Sequence, residues 1–309
     1  MKTKKLPVFD IPVNATVNNE YPTTEHAFRQ PMLWYVVGTR TSGKSHLVSQ
    51  FLAQCHKDKT FDRVYIVTPS FNSNKKYFEK YINEEDVFEP TGDSIGSVIQ
   101  KVENDRDEWE KFLAEKKEYK KFQERLEDKN IIMSDAELLE SYYNGYLDQQ
   151  APKWKYGTPE SPPKSCLILD DVIGSAAILQ SSGLSRIATL NRHIAPLKED
   201  FKQRSACGLA VIVMSQCYRF QQGISKTLRE NVSVLTLFSN KMQKQMDVIK
   251  EECCNIIDEH LFDAAFKYAT KEKYGSLTID FKPKCTSKTF RKNLNEVILF
   301  DELQCECSK

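Results

Sequence analysis

No run of 18 apolar residues occurs in the 309-residue chain, so a membrane-spanning helix is not expected. The basic start MKTKKLPVFDIPVNATVNN lacks the apolar stretch of a secretory signal, and the chain reads as soluble and non-secreted. An excess of one charge is also missing: 44 Lys and Arg face 43 Asp and Glu, a formal net charge of +1. No global basic field advertises nucleic acid, so any such contact has to come from local patches. The nine cysteines, at 55, 166, 207, 217, 253, 254, 285, 305 and 307, form no Cys-x-x-Cys pair and have no nearby His-x-x-x-His. A zinc site is unsupported, and scattered thiols of odd number suit reduced cysteines in a cytosol-like compartment.

With 40% hydrophobic residues, the chain can bury one large domain or one domain with a sizeable insertion. Residues 1–30 are polar and rich in Pro and Asn, which suggests an N-terminal arm ahead of a domain over 31–309. The first strand is expected over 32–37, followed by a helix over 43–55 with Leu47, Val48, Phe51 and Leu52 on one face. RVYIVTPS (63–70) reads as a strand buried on both sides. From 75 to 165 the pattern breaks into charged, helical sequence and a Pro-rich linker (151–165), as expected of an insertion whose helices are solvated. Trp109, Phe112, Leu113, Tyr119, Phe122 and Leu126 recur there at helical spacing, and Ser134-Asp135 is a plausible helix start.

SCLILDDVIG (165–174), GLAVIVMSQ (208–216) and NVSVLTLFSN (231–240) then read as strands. SSGLSRIATLNRHIAPLKEDF and the stretch from KMQKQ to KYAT read as helical, and KYGSLTIDFKPKC as an edge strand or hairpin arm. Strand-helix alternation of this kind predicts an α/β fold, an open and mostly parallel sheet with helices on both faces.

Three stretches carry chemistry. Gly38-Thr39-Arg40-Thr41-Ser42-Gly43-Lys44-Ser45 follows an apolar strand and opens a helix, the setting of a P-loop. Its glycines admit close backbone approach, its N–H groups and the helix N-terminus, through His46, face phosphates, Lys44 reaches the β/γ oxygens and Ser45 ligates Mg²⁺. CLILDD brings Asp170 to the carboxyl edge of the sheet to hold the Mg²⁺ shell. Asp171 beside it either polarises an attacking water or caps the following turn. VIVMSQ delivers Ser215 and Gln216 to the same edge, where a Gln orients the lytic water or senses the γ-phosphate. The order P-loop strand, acidic strand, polar-ended strand is that of P-loop NTPases of the RecA/ASCE class. Arg192 and Arg229 are each either a cationic finger offered to a neighbouring subunit or a surface ion pair, and His193 suits packing or hydrogen bonding.

Taken together, GTRTSGKS, LILDD, NRHIAP, VIVMSQCYRF and TLRENVSVLTLF, with SLTIDFKPK and TFRKN as a tail match, resemble the FtsK/HerA-like genome-packaging ATPases of large DNA viruses. That family includes the poxvirus packaging ATPase and its relatives in virophages and polinton-like elements. The resemblance implies a homo-oligomeric, ring-shaped motor that consumes ATP with Mg²⁺ and drives double-stranded DNA, without sequence preference, into a preformed capsid docked through a capsid or vertex protein. It implies action at assembly sites in the host cytoplasm, or carriage in the virion. By position, Lys44 and Ser45 bind phosphate and Mg²⁺, Asp170 the metal, Asp171 the activated water, Gln216 acts as sensor and Arg229 as the finger. Many members of the wider superfamily carry Glu where this chain has Asp171, and the stretch from Arg192 to the Gln strand is longer than the compact form.

Two other classes remain open on the residues alone. One is a different ATPase, such as a helicase, an AAA-type remodeller or a nucleotide kinase; the other is a nucleotide-binding switch or scaffold that does not turn over. A kinase should offer an arginine-rich lid and no paired carboxylate, and helicase motifs beyond these are not found. KMQKQ, KPKCTSKTFRK and Lys202 to Arg204 are candidate DNA contacts or simply solvated basic faces.

Overall fold

Unbroken apolar runs become strands covered on both faces, as parallel strands must be. The computed structural model describes residues 19–21, 27–127, 133–146, 151–156, 159–201, 204–219, 224–239, 243–253 and 258–301. Its strands are β1 (Leu33–Val37), β2 (Arg63–Val67), β3 (Val87–Phe88), β4 (Ser165–Asp170), β5 (Pro196–Phe201), β6 (Arg204–Ala206), β7 (Leu209–Ser215), β8 (Val234–Phe238), β9 (Ser276–Asp280), β10 (Phe290–Lys292) and β11 (Glu296–Ile298). Its helices are α1 (Lys44–Lys57), α2 (Phe71–Phe78), α3 (Ser94–Glu127), α4 (Asp135–Tyr143), α5 (Ala176–Leu179), α6 (Ser182–Leu190), α7 (Lys226–Glu230), α8 (Gln243–Cys253) and α9 (Glu259–Ala269).

The main sheet runs β11-β10-β9-β8-β1-β7-β4-β2-β3. From β8 to β3 every pairing is parallel, whereas β9, β10 and β11 add antiparallel strands beyond β8. This is the α/β P-loop NTPase architecture, with β4 and β7 intervening between β2 and the P-loop strand β1. Alternation along β1 sends Tyr35 and Val37 into a core shared with α3, α6, α8 and α9. Trp34 and Val36 enter a second core on the opposite face, under α1. The α1 stripe Leu47, Val48, Phe51, Leu52 and Cys55 is buried as its spacing predicts. His56 and Lys57 sit in the last turn of α1, where cations complement the helix dipole.

Several expectations are corrected. The block 75–165 is not a purely solvated excursion between β2 and β4. Val87–Phe88 adds an edge strand, and Ile95, Val98, Ile99 and Val102 of α3 belong to the main core. Further along α3, Trp109, Phe112, Tyr119 and Phe122 are buried, Leu113 is half-buried, and only Leu126 of that stripe stands out in solvent. They are covered by aromatic partners: Trp154 lies 5.6 Å from Phe112, and Tyr146 lies 5.5 Å from Tyr119 and 5.8 Å from Phe122. The linker is therefore pinned to the helix rather than free-running. Ser134 does cap α4, in a reciprocal capping box with Glu137.

The helix expected through APLKEDF ends at Leu190, and β5 (Pro196–Phe201) instead pairs antiparallel with β6 (Arg204–Ala206). β9 is interior to the sheet, since β10 and β11 lie outside it. The described part of 1–30 is docked on the body: Phe28 is buried against Trp34 and Phe51, and Asn19 accepts hydrogen bonds from the Ser205 and Ala206 amides. Cys55, Cys166, Cys207, Cys217 and Cys253 are free thiols, but Cys285 is disulfide-bonded, against the expectation of reduced cysteines. Cys254, Cys305 and Cys307 lie outside the described residues.

One buried carboxylate ties the block 75–165 to the sheet. Asp105 of α3 is 1% exposed and meets Lys155 at 2.5 Å, the Tyr156 hydroxyl at 3.0 Å and Arg63 of β2 at 3.5 Å. Arg63 also makes a bidentate pair with buried Asp86, at 2.8 Å on both oxygens. Removing one member of such a network strands the partner charges in a poorly hydrated place. Asp105→Ala is expected to cost about 3 kcal/mol of unfolding free energy, measured as a lower urea midpoint at unchanged slope.

Candidate active site

The backbone sets the site before any side chain does. Gly38 N–H donates to the Ser215 carbonyl at 3.0 Å, and Asp171 N–H donates to the Met214 carbonyl at 3.4 Å. These bonds carry the parallel ladder one residue past β1 and β4, so the P-loop, the carboxylates and Gln216 leave the sheet at one edge. They line a single cleft of about 1080 Å³ with Lys44, Ser45 and Asn74.

Within the P-loop, Gly43 has φ 108° and Thr41 φ 65°, and the 43 position needs its glycine for that reason. At Gly38 the constraint is space: an added Cβ would sit 2.4 Å from Ser42 Oγ and 2.9 Å from Phe238 Cβ. Thr39, Arg40, Thr41 and His46 are exposed, whereas Ser42, Gly43, Lys44 and Ser45 are half-buried. Lys44 Nζ donates to the carbonyls of Gly38 at 2.6 Å and Thr39 at 3.1 Å, folded back over its own loop. Burial lowers its pKa, opposed by the charges of Asp170 and Asp171. Ser42 Oγ is buried with no hydrogen-bond partner among the described residues. A cradle of this kind, with a cation, a helix N-terminus and an unpaired hydroxyl, fits a phosphate chain.

Asp170 ends β4 and is 5% exposed. Its Oδ2 accepts from Asn74 Nδ2 at 2.8 Å and from Thr68 Oγ1 at 3.3 Å, so both bonds fall on one oxygen and leave Oδ1 for a cation's shell. Burial raises its pKa, the Asn74 bond opposes this and the Asp171 charge adds to it. Asp170 and Ser45 line the same cleft, and their oxygens suit Mg²⁺, an ion that takes oxygen ligands.

Asp171 has left-handed backbone, φ 51°, and makes no side-chain cap to the turn that follows. Its carboxylate instead accepts from Gln216 Nε2, at 2.9 Å to Oδ1 and 3.0 Å to Oδ2. Both groups are exposed to the cleft. Ser215 is buried and turned into its own loop, donating to the Cys217 carbonyl at 2.5 Å and accepting from the Cys217 amide at 3.2 Å, which aims Gln216 outward.

Arg229 does not join this group. Its side chain is 6% exposed, forks onto Glu252 with two bonds of 3.0 Å, and donates to the Ile224 carbonyl at 2.7 Å. The hydrogen bonds to Glu252 raise its pKa despite burial, so the pair is a fixed internal brace and not a free finger. The Tyr218 hydroxyl donates to the same Glu252 at 2.7 Å, and the Tyr35 hydroxyl donates to the Cys217 and Tyr218 carbonyls, so the brace holds the loop that follows Gln216. Arg192 is exposed, just beyond α6, and His193 meets the Asn19 amide at 3.0 Å, a hydrogen-bonding role.

The basic stretches divide. Arg204 is buried over the Tyr21 ring and donates to the Cys207 carbonyl, Arg291 is buried over Phe28, and Lys292 pairs with Glu272. Lys244, Lys282 and Lys284 are exposed. Lys202, Gln203, Lys241 and Met242 lie outside the described residues. Asn74 and Thr68, which hold Asp170, were not singled out by any motif; their only sequence signal is position just after a strand that runs beside β4.

No family model and no curated protein matches the chain. Among solved structures it is similar to the genome packaging NTPase B204 of Sulfolobus turreted icosahedral virus 2 in complex with ATP-gammaS, at 15% identity and TM-score 0.44, over 85% of this chain and 96% of that one. It is similar to the pCW3 conjugation coupling protein TcpA with ATPgS, at 14% identity and TM-score 0.41, over 88% of this chain and 61% of that one. It is similar also to EssC (ATPases 2 and 3) from Geobacillus thermodenitrificans, at 13% identity and TM-score 0.42, over 90% and 41% respectively.

Two outcomes test the geometry. Gly38→Ala is expected to weaken ATP binding by at least about tenfold, read by calorimetry, because the loop has to open to admit the methyl group. Asp170 has a folded-state pKa raised above its unfolded value, so its ionised form weakens the fold at neutral pH. That deficit is absent below the ordinary carboxylate range and sets in as pH rises through the raised pKa. Asp170→Asn is therefore expected to raise the melting temperature of the nucleotide-free protein by about 2 °C at neutral pH, with the gain fading in acid.

Proposed function

We propose that the chain is an ATP-hydrolysing motor of the FtsK/HerA-like type that moves double-stranded DNA, packaging a viral genome into a preformed capsid as a homo-oligomeric ring. The observation that carries the hydrolytic half is the Asp171–Gln216 pair, bonded at 2.9 and 3.0 Å at the mouth of the cleft that holds Lys44 and Asp170. A nucleotide kinase has no use for a second carboxylate bonded to a glutamine at this place, whereas a hydrolase needs a group to polarise water and a second to aim it.

In this reading Lys44 turns from the Gly38 and Thr39 carbonyls to the β/γ oxygens. Ser45 and Asp170 would hold Mg²⁺, which when bound would neutralise charge on the phosphates. Asp171 accepts the proton of the attacking water, and Gln216, released from one of its two bonds to Asp171, orients that water. With Arg229 committed to Glu252, exposed Arg192 is the better candidate for a cation offered to a neighbouring subunit. Lys244, Lys282 and Lys284 are candidate phosphate contacts on DNA, without base reading, which fits a motor indifferent to sequence. A capsid or vertex partner and action at cytoplasmic assembly sites, or in the virion, belong to the same proposal.

ATP turnover measured with random-sequence duplex at increasing salt tests it. Duplex is expected to stimulate hydrolysis, more weakly as salt rises, and Lys44→Ala to abolish it. Asp171→Asn is expected to lower kcat by about 10²–10³-fold while nucleotide binding persists. Basal hydrolysis that no duplex changes would rule out the DNA motor. Tight binding without turnover in the wild-type chain would favour the switch or scaffold.

A further inference from the structure

The cleft extends past the P-loop, away from Asp170, to the turn Glu272–Gly275 that joins α9 to β9. Tyr274 in that turn is 58% exposed, although it rests on the phosphate loop: a Cβ added to Gly43 would lie 3.7 Å from Tyr274 Cβ and 3.8 Å from its Cδ1. Its φ of 68° is left-handed, a region that a bulky aromatic residue occupies only under strain.

The surroundings enforce that strain. A side chain at Gly275 would meet the Ala269 carbonyl at 2.3 Å, so the chain reverses there on a glycine. Ser276 donates from its amide and its hydroxyl to Asn293 Oδ1, at 3.1 and 3.2 Å, and the Asn293 amide donates back to the Ser276 carbonyl at 2.7 Å. Glu272 is held by Lys292 at 3.1 Å, and Lys273 Nζ stands 5.0 Å from the Tyr274 ring centroid. The fold thus pins a half-exposed aromatic ring beside the phosphate cradle.

Sheet order fixes what such a ring would meet. β1 lies between β7 and β8, with Asp170, Asp171 and Gln216 on the β7 side and the Tyr274 turn leading into β9 beyond β8. A triphosphate spanning the loop with its terminal phosphate toward the carboxylates leaves its nucleoside on the β8–β9 side. We infer that Tyr274 stacks on the base of the bound nucleoside triphosphate and, with the P-loop, fixes the nucleotide at both ends. Of the other rings lining the cleft, Phe238 of β8 is 3% exposed and packed under the phosphate loop, and His46 packs edge-on to Tyr77. Tyr77 is on α2, the helix whose Asn74 holds Asp170, and so belongs to the end that receives the terminal phosphate.

This inference rests on the nucleotide reading of the site, and calorimetry with two ligands separates the two. The imido analogue of ATP carries a base; tripolyphosphate does not. Tyr274→Ala is expected to weaken the analogue about tenfold, the scale of one base–aromatic stack, and to leave tripolyphosphate unchanged. Tyr274→Phe is expected to stay within about twofold of wild type for both, since a phenyl face also stacks. Tyr77→Ala is expected to show no loss confined to the analogue, since any effect at the terminal-phosphate end falls on both ligands. An unchanged affinity of Tyr274→Ala for the analogue, an equal loss for both ligands, or a selective loss in Tyr77→Ala would overturn the assignment. Wild-type protein that binds tripolyphosphate and the analogue equally would overturn it while sparing the P-loop reading; binding of neither would sink both.

Discussion

Two backbone hydrogen bonds, from Gly38 to the Ser215 carbonyl and from Asp171 to the Met214 carbonyl, hold the three chemically active turns in register. Each is possible only because β1 and β4 both pair in parallel with β7. In a parallel sheet every strand of a set ends at the same edge, so groups 38, 171 and 216 converge although the chain between them is long. A slip of one residue in β7 would exchange its two faces and remove Gln216 from Asp171. The two hydrophobic cores above and below β1 make that slip costly, which is how packing far from the cleft protects its geometry.

Two charges of the site stand where burial disfavours them. Burial lowers the pKa of Lys44 and raises that of Asp170, so each charged form stands in a place that disfavours it. Lys44 rests on two carbonyls of its own loop, and Asp170 on Asn74 and Thr68. Phosphate oxygens near the first and a cation near the second relieve both conditions at once. The groups that a triphosphate and its cation would meet are in this way already positioned by the fold.

Much of this was legible in the sequence. The glycine spacing of 38–45, the apolar approach to Asp170 and the polar end of the 209–215 strand are local signals, and local signals survive into the structure. What stayed hidden depends on distant partners. Arg229 read as a trans-acting finger or a surface ion pair because Glu252, which holds it inside the fold, lies 23 residues on. The charged run of α3 read as solvated because the rings that cover it, Tyr146 and Trp154, come from the far side of α4. NRHIAPLKEDF read as helix, yet Ala195 takes φ 52° and Pro196 begins a strand, so the turn is set by backbone conformation that composition does not announce. Asn74 is an ordinary polar residue in a charged stretch, given meaning only by the 2.8 Å contact across the sheet edge.

In the proposed reaction Asp171 and Gln216, hydrogen-bonded to each other, act as one hydrolytic unit on a nucleotide gripped by the P-loop. A double-mutant cycle on the single-turnover hydrolysis rate, with Asp171→Asn, Gln216→Ala and the double variant, tests that unit most directly. If the two side chains share one water, the double variant should be scarcely slower than Asp171→Asn alone. Independent, multiplicative losses would contradict it, because they would mean that the bond between the two side chains has no part in the reaction.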